Sequence, residues 1–299
     1  MASDPGSLTL AEAADRLGVH YMTVYRWVRL GRLPARKIDG GWAVDPADLD
    51  GVRSGPSERG RRRHGSPART GTWRARLQGR MLVGDVAGSW GIVEAAMAGG
   101  LAPRDVYVEV VGPILRDIGD AWRSGRLGIQ QEHLASSVAT AIIGRLGPRF
   151  VRRGRKKGVV VLAMPSGERH GLGAAMLADI LTDDGYEVRN LGPDTPPASL
   201  VAALHEVDRP AAIVVSVVDE RHRSAALRLT RAVRRAAPSV PLLVGGNAVR
   251  DEAAARALGS DGWVADPRDL GALIETLGRN DRGPRTDLAM DPSEPGRRR

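Results

Sequence analysis

Apolar residues recur at helical spacing near the start of the chain. The segment LTLAEAADRLG places its apolar side chains on one face of a helix of about two turns, and Thr9 and Glu12 have the spacing of a capping box. Gly18 is placed to end this helix. The next segment, VHYMTVYRWVRLGR, predicts a second short helix that ends at Gly31 and includes Val24 on its inner face. Two short helices joined by a tight glycine turn predict a helix-turn-helix.

Two extended runs follow, separated by Asp39-Gly40-Gly41, and this turn is typical of a β-hairpin. Such a hairpin is the wing of a winged helix-turn-helix, and a further short helix is predicted from Asp45-Pro46. Residues 23–37 contain five basic and no acidic residues, which focuses positive charge as phosphate contact requires. The predicted DNA contacts are Tyr21, Thr23, Arg26, Arg29, Arg36 and Lys37.

The middle of the chain, residues 73–147, also has apolar residues at helical spacing. Pro103 is placed to start one helix, whereas Gly100, Gly125 and Gly147 are placed to end others. This pattern predicts a bundle of about four helices.

From Gly158 the pattern changes to short apolar runs. GVVVLAM is typical of a strand buried on both faces, and YEVRNL, AAIVVSVV, PLLVGG and DGWVA follow, with helical stretches between them. Five parallel strands in a doubly wound sheet are predicted, with the flavodoxin-like order 2-1-3-4-5. Ligands bind such sheets at the carboxyl ends of strands 1 and 3, which here carry the loops PSGERHGLG and SVVDERH. The fold class is therefore multidomain, α and α/β.

Composition restricts the chemistry of the chain. Its 299 residues include no cysteine, which excludes disulfides, thiolate metal sites and cysteine nucleophiles. Any metal must be bound by histidine, by carboxylates or within a prebuilt cofactor. No apolar run approaches the roughly 20 residues that cross a bilayer, and MASDPGS lacks the pattern of a signal peptide. We expect a soluble, cytoplasmic protein.

The net charge of +9 is concentrated in two connecting stretches. Residues 51–80 contain nine basic and one acidic residue, and residues 148–158 contain six basic and none acidic. We interpret the first stretch as an arm that contacts DNA phosphates and the second as a solvated connector. The predicted organisation is a winged helix-turn-helix (1–52), a basic linker (53–72), a helical cap (73–150), a flavodoxin-like domain (151–280) and a disordered tail (281–299).

The first domain resembles a known family. LTLAEAADRLGVHYMTVYRWVRLGRLPA is similar to the core of excisionase-like and MerR-like winged helix-turn-helix domains. The resemblance implies that this domain binds a DNA operator. Because an isolated module with about five phosphate contacts binds weakly at physiological salt, function is expected to require oligomerisation.

The last domain carries three spaced motifs, Glu168-x-His170-x-x-Gly173, Ser216-x-Val218 and Gly245-Gly246. They resemble the cobalamin-binding signature D-x-H-x-x-G, S-x-L and GG, with Glu in place of Asp and Val in place of Leu. The resemblance implies that His170 is the lower axial ligand of cobalt and that Glu168 is its hydrogen-bond partner. The implied lining of the pocket for the cofactor's tail is Gly173, Ser216, Gly245 and Gly246.

The helical cap carries Trp122 and, after nine intervening residues, Glu132-His133. This spacing resembles the W-x9-EH motif of the CarH-like cobalamin photoreceptors. The resemblance implies adenosylcobalamin as cofactor, with Trp122 near the adenosyl group and Glu132 and His133 in contact with it. It also implies a homo-oligomeric transcriptional regulator, a dimer or a tetramer, whose size and operator binding change when light removes the adenosyl group.

One residue departs from that family. Arg123 follows Trp122, where the best-known branch has a second cobalt-binding histidine, so a bis-histidine adduct cannot form at this position. Three alternatives remain open. His133 could bind cobalt instead, or water could fill the position. Alternatively, the protein senses cobalamin level or redox state without photochemistry. A corrinoid methyl carrier is a further alternative, against which the DNA-binding domain argues. No catalytic residue is predicted, and we expect that the protein is not an enzyme.

Overall fold

The chain forms two compact units, Met1–Pro67 and Ala68–Arg299. The computed structural model describes residues 7–29, 33–38, 41–46, 48–49 and 67–280. The predicted tail from residue 281 and residues 53–66 of the predicted basic linker lie outside these described residues. The prediction of a linker at 67–72 is wrong, because these residues form the start of a helix that continues to Leu82.

The first unit contains two helices and three short strands. They are β1 (Leu8–Thr9), α1 (Leu10–Leu17), α2 (Tyr21–Arg29), β2 (Arg36–Ile38) and β3 (Gly41–Val44). The capping box is confirmed, because Thr9 Oγ1 accepts from the Glu12 N–H at 3.3 Å while Glu12 Oε2 accepts from the Thr9 N–H at 2.7 Å. Gly18 ends α1 in the left-handed region, at φ 65°.

The wing is confirmed as an antiparallel pair of β2 and β3, with β1 on the other side of β3. Pro46, Asp48 and Leu49 are helical, as predicted from Asp45-Pro46. One small apolar core joins helices, wing and this last turn, and its buried members are Leu10, Ala13, Ala14, Val24, Leu33, Val44 and Leu49.

The second unit begins with the predicted helical bundle. Its elements are α3 (Pro67–Leu82), α4 (Val86–Ala98), α5 (Pro103–Asp105), a π-helical segment (Val106–Val111), α6 (Gly112–Arg123) and α7 (Ile129–Leu146). The α5, π-helical and α6 segments are continuous, so the bundle has the four helices expected. The wide π turn was not predicted, and it places Tyr107 in the core, stacked on Phe150 at a ring-centroid distance of 5.0 Å. No described helix, the 18-residue α7 included, is long and apolar enough to cross a membrane.

A parallel sheet follows, with helices on both faces. Its elements are β4 (Val159–Ala163), α8 (Leu172–Asp183), β5 (Glu187–Asn190), α9 (Pro197–His205), β6 (Ala212–Ser216), α10 (Arg223–Ala236), β7 (Leu242–Gly245), α11 (Glu252–Ala257) and α12 (Leu270–Asn280). The strand order β5-β4-β6-β7 is the expected order 2-1-3-4. Alternate residues of β4 pack on opposite faces, against α9 and α10 on one and against α8 and α12 on the other.

The prediction of a fifth strand at DGWVA is wrong. The N–H groups on the free edge of β7 are bound by side chains, since Leu242 N donates to Asp261 Oδ2 and Val244 N donates to Ser260 Oγ, both at 2.8 Å. A fifth strand would need these donors for its own carbonyl groups. Residues 260–261 therefore terminate the sheet with side chains instead of a strand.

The bundle and the sheet domain share one apolar core, because Met176 and Ile180 of α8 belong to the bundle's cluster. Polar contacts reinforce this interface. Arg104 of α5 binds Asp183 at 2.6 Å and Asp184 at 2.8 Å at the end of α8.

A second cationic contact is made by Arg268, which lies just before α12. It reaches Asp105 at 2.7 Å and Glu109 at 2.9 Å in the bundle, and Asp266 at 2.7 Å beside it. The Arg268 side chain is only 18% exposed. The bundle is thus held to the sheet domain at the base of α5 and along the π-helical segment.

We predict that Arg268→Ala lowers the free energy of unfolding by about 2 kcal/mol, because it leaves three half-buried carboxylates without their shared cation. The matched control, Arg256→Ala, removes an exposed pair with Glu252 and is expected to cost less than about 0.5 kcal/mol. Denaturant unfolding of both variants measures the difference, and equal costs would contradict the role given to Arg268.

Candidate functional site

The candidate site lies at the carboxyl edge of the parallel sheet, where the order of strands reverses between β4 and β6. The loop after β4 carries Glu168 and His170, and the loop after β6 carries Val218 and Asp219. Hydrogen bonds join these two loops, which are the loops at which the sequence predicts a ligand.

The Glu168 carboxylate is completely buried, and both of its oxygens accept hydrogen bonds. Its Oε2 accepts from the backbone N–H groups of Val218 and Asp219, each at 2.9 Å. Its Oε1 accepts from the His170 N–H at 3.1 Å and lies 2.5 Å from His170 Nδ1. One side chain therefore fixes the histidine and binds the neighbouring loop as well.

The pKa values of this pair reflect the same contacts. Burial alone would raise the pKa of Glu168, but the hydrogen bonds from His170 and from backbone N–H groups outweigh it and lower the pKa to about 2. The bond to Glu168 is the main cause that raises the pKa of His170, and the carboxylates of Asp219 and Glu132 add to it. The carboxylate is therefore ionised at neutral pH and accepts from the imidazole Nδ1–H.

The far side of the His170 ring is available to a ligand. The side chain is 53% exposed, and Nε2 has no hydrogen-bond partner within the described residues. In its neutral form, a histidine that donates through Nδ1 to a carboxylate presents a lone pair at Nε2, which is the arrangement of a metal ligand. No group of three metal-ligating side chains converges among the described residues, so a metal at Nε2 would need its other ligands from a cofactor.

Open space lies beside the glycine motifs. A Cβ atom added at Gly173 or at Gly245 would meet no described atom within 4 Å. Ser216 pairs in register with Gly245, and its hydroxyl makes no hydrogen bond within the described residues. A side-chain methyl group would therefore fit at Gly173 and at Gly245, and the pocket for the cofactor's tail stays a prediction.

Gly246 has a different role from Gly245. Its φ is +103°, and a Cβ atom there would lie 2.3 Å from the carbonyl oxygen of Val217. Only glycine fits this close approach of two backbones. Gly246 therefore shapes the loop beside the open space and does not itself provide that space.

The predicted cap residues lie on the bundle's exposed surface. Trp122 is 40% exposed at the end of α6, and the His133 side chain is 71% exposed in the first turns of α7. Glu132 accepts from Ser136 Oγ at 2.7 Å, and its charge contributes to the raised pKa of His170. Glu132 is thus close enough to the histidine loop for electrostatic interaction. Arg123 pairs with Asp120 of its own helix.

The predicted DNA contacts lie on α2 and β2 of the first unit. Tyr21 is 45% exposed and stacks on Tyr25, Thr23 is half-buried, and Arg36 is exposed. The side chains of the other three predicted contacts, Arg26, Arg29 and Lys37, lie outside the described part of the structure.

Sequence reasoning missed the backbone donors of Val218 and Asp219. Backbone N–H groups leave no signature in the sequence, because every residue except proline has one. Arg221 was also missed, and its hydrogen bond to Asp219 lowers the pKa of that carboxyl to about 2. The loop after β6 is therefore ordered by two carboxylates, one from each loop.

Comparisons with known proteins agree with this division of the chain. A helix-turn-helix domain family matches residues 7–51, and two families, each described as a B12 binding domain, match residues 73–146 and 158–269. The last match spans every residue from Glu168 to Gly246 that forms the site.

Two curated relatives are transcriptional repressors. The chain is 29% identical over 210 residues to the HTH-type transcriptional repressor CarH of Myxococcus xanthus, which covers 70% of this chain and 69% of that protein. It is 31% identical over 148 residues to the repressor CarA of the same organism, which covers 46% of each chain. The chain thus spans about two thirds of the first relative and under half of the second.

A solved structure shares the fold of the second unit. The Methanosarcina barkeri monomethylamine corrinoid protein superposes with a TM-score of 0.61 at 17% identity, covering 69% of this chain and 99% of that one. This likeness concerns the fold alone.

We predict that Glu168→Gln destabilises the cofactor-free protein most between about pH 4.5 and 6.5. The Glu168 contribution is present above its ordinary pKa of 4.5 and is lost as pH falls through about 2. The His170 contribution is present below its ordinary pKa of 6.5 and is lost as pH rises through the raised value. Loss of a buried, charged hydrogen-bond acceptor is expected to cost about 2 kcal/mol within that window.

Denaturant unfolding at a series of pH values measures this difference from the parent. Glu252→Gln is the control, because it removes one carboxylate from an exposed pair with Arg256. A Glu168→Gln cost that stays constant from pH 4 to 9, as the control's should, would contradict the coupling of the two groups.

Proposed function

We propose that the chain is a CarH-like, cobalamin-binding transcriptional regulator with a DNA-binding domain, that its cofactor is adenosylcobalamin and that its signal is light. In this proposal the domains are 1–52 for DNA, 67–150 for the cap, which includes all of α3, and 151–280 for cobalamin, with a basic linker at 53–66 and a tail from 281. It acts in the cytoplasm as a regulator without enzymatic activity.

The observation that carries the proposal is the exposed His170 ring with Nδ1 bound to a buried carboxylate and Nε2 free. His170 would bind cobalt from below through Nε2, while Glu168 orients the ring and strengthens its donation. The open space at Gly173 and Gly245, beside Ser216, would receive the cofactor's tail, and Gly246 would keep the loop in place.

The cap residues would enclose the upper side of the cofactor. Adenosylcobalamin supplies a cobalt–carbon bond that light breaks. Trp122 would cover the adenosyl group with an apolar ring, and Glu132 and His133 would contact its polar atoms. The Glu132 carboxylate is among the charges that raise the pKa of His170, and this supports a position of Glu132 on the side of the bundle that faces the histidine loop.

Coupling to DNA would proceed through α8, which begins directly after the histidine loop and packs its Met176 and Ile180 into the bundle. A change of the cap would alter the oligomer, a dimer or a tetramer, and hence the number of DNA-binding domains that act together. In each domain Tyr21, Thr23, Arg26, Arg29, Arg36 and Lys37 would contact the operator.

A second candidate function is a regulator that responds to cobalamin level or redox state without photochemistry. The observation that favours it is Arg123, whose guanidinium pairs with Asp120 on its own helix and offers cobalt no ligand. A corrinoid methyl carrier is the weaker alternative, because it leaves the helix-turn-helix domain without a role.

Illumination separates these functions. We predict that the protein loaded with adenosylcobalamin in the dark changes its absorption spectrum, its size and its DNA binding when illuminated. Absorption spectroscopy, size-exclusion chromatography and DNA titration follow the three changes. A change of spectrum with constant size and constant DNA binding would overturn light as the signal and favour the second candidate.

His170→Ala should bind cobalamin with an altered spectrum, and an unaltered spectrum would overturn the ligand assignment.

A pair of adjacent glycines tests the tail pocket. We predict that Gly245→Ala weakens cobalamin binding at least about tenfold with a change of under about 1 kcal/mol in the free energy of unfolding, because the new methyl group occupies only the open space. Gly246→Ala should instead cost about 3 kcal/mol, because the methyl group meets the Val217 backbone. Cobalamin titration and denaturant unfolding measure both, and normal affinity in Gly245→Ala would contradict the placement of the tail.

A further inference from the structure

Helix α10 concentrates positive charge within an otherwise acidic domain. Residues 159–278 contain sixteen acidic and twelve basic residues, and five of the twelve are arginines of α10, which has no acidic residue. The rest of the domain therefore has sixteen acidic against seven basic residues. Soluble surfaces normally intersperse the two signs, so this segregation indicates a surface built for an anionic partner.

Two of the five arginines have structural partners. Arg223 donates to the Ala248 carbonyl at 3.0 Å, and Arg234 binds Asp261 at 2.8 Å. The other three are Arg228, Arg231 and Arg235. They are exposed and have no acidic partner within the described residues.

These three residues, which we call the arginine stripe, lie on one face of α10. Their spacing of three and four positions places them within about 60° around the helix and about 4.5 and 6 Å apart along its axis. The opposite face of α10 is fixed to the sheet by Ala226, Leu229 and Val233, all fully buried. The stripe is therefore a row of cations on a rigid scaffold.

The bundle leaves the stripe uncovered. The bundle packs on α8, on the other face of the sheet from α10. The candidate cobalamin site lies at the carboxyl edge of the sheet, and neither of its two loops includes a stripe residue. The stripe is thus available to a partner while the cofactor and the cap are in place.

We propose that the arginine stripe binds backbone phosphates of DNA, which gives the second unit its own contact with the duplex. This inference rests on the proposed function, in which the first unit binds DNA. Each DNA strand presents one negative charge per about 3.4 Å of helix axis, a dense row that matches closely spaced guanidinium groups. Residues 50–66, which join the units, span at most about 60 Å, so one duplex is within reach of both.

The test uses the full chain loaded with adenosylcobalamin in the dark and a random-sequence duplex of about 40 base pairs. Binding is measured by fluorescence anisotropy over a series of KCl concentrations. For R228Q/R231Q/R235Q, the slope of log K against log salt should fall by about 2 to 3, since each lost phosphate contact removes about 0.9. Affinity near 0.1 M KCl should fall about 100-fold.

The control R189Q/R209Q/R256Q removes the same charge from the same domain outside α10, and its slope should change by less than about 1. Cobalamin spectra equal to the parent's establish that both variants are folded. An unchanged slope in the stripe variant overturns the proposal while the proposed function stands. A lower slope with a smaller particle in size-exclusion chromatography also overturns it, because the stripe then joins copies of the chain. A parent chain that binds no duplex overturns the proposed function, and this inference with it.

Discussion

The buried carboxylate of Glu168 is the constraint on which the cobalamin-domain site depends. A completely buried carboxylate is stable only when its oxygens are fully hydrogen-bonded, and here the His170 imidazole and three backbone N–H groups satisfy them. Because the donors come from two loops, the same bonds that stabilise the charge also orient His170. The orientation of His170 and the structure of the two loops therefore depend on the same hydrogen bonds of Glu168.

The position of this carboxylate explains how a ligand at the sheet can affect the bundle. Helix α8 starts directly after the histidine loop, buries Met176 and Ile180 in the bundle's core and ends at Asp183, which binds Arg104. Arg268 adds a contact with the π-helical segment at Glu109. A well-packed core transmits displacement rather than absorbing it. Helix α8 thus connects the histidine loop to the bundle through one continuous set of contacts.

Local patterns in the sequence predicted most of the fold. These patterns depend on neighbouring residues. The structure contains the capping box at Thr9 and the apolar strand at Val159–Ala163. Strands β2 and β3, on either side of the predicted turn at Asp39-Gly40-Gly41, pair as a hairpin requires. Three features were not predicted, because each depends on a partner distant in sequence. They are the π turn at Tyr107, the end of the sheet at Ser260 and the ion pairs of Arg268 with the bundle. The candidate site residues were predicted from motif spacing, whereas the backbone donors to Glu168 carry no such signal.

Ligation of cobalt by His170 is the central claim, and electron paramagnetic resonance tests it most directly. The chain is labelled with ¹⁵N-histidine, bound to unlabelled cob(II)alamin, and compared with unlabelled protein. The account predicts that the superhyperfine pattern of the cobalt signal changes from the triplet of a ¹⁴N ligand to the doublet of a ¹⁵N ligand, and that His170→Ala abolishes the doublet. A triplet that persists in the labelled protein would show that the cofactor's own benzimidazole remains bound and would contradict the account.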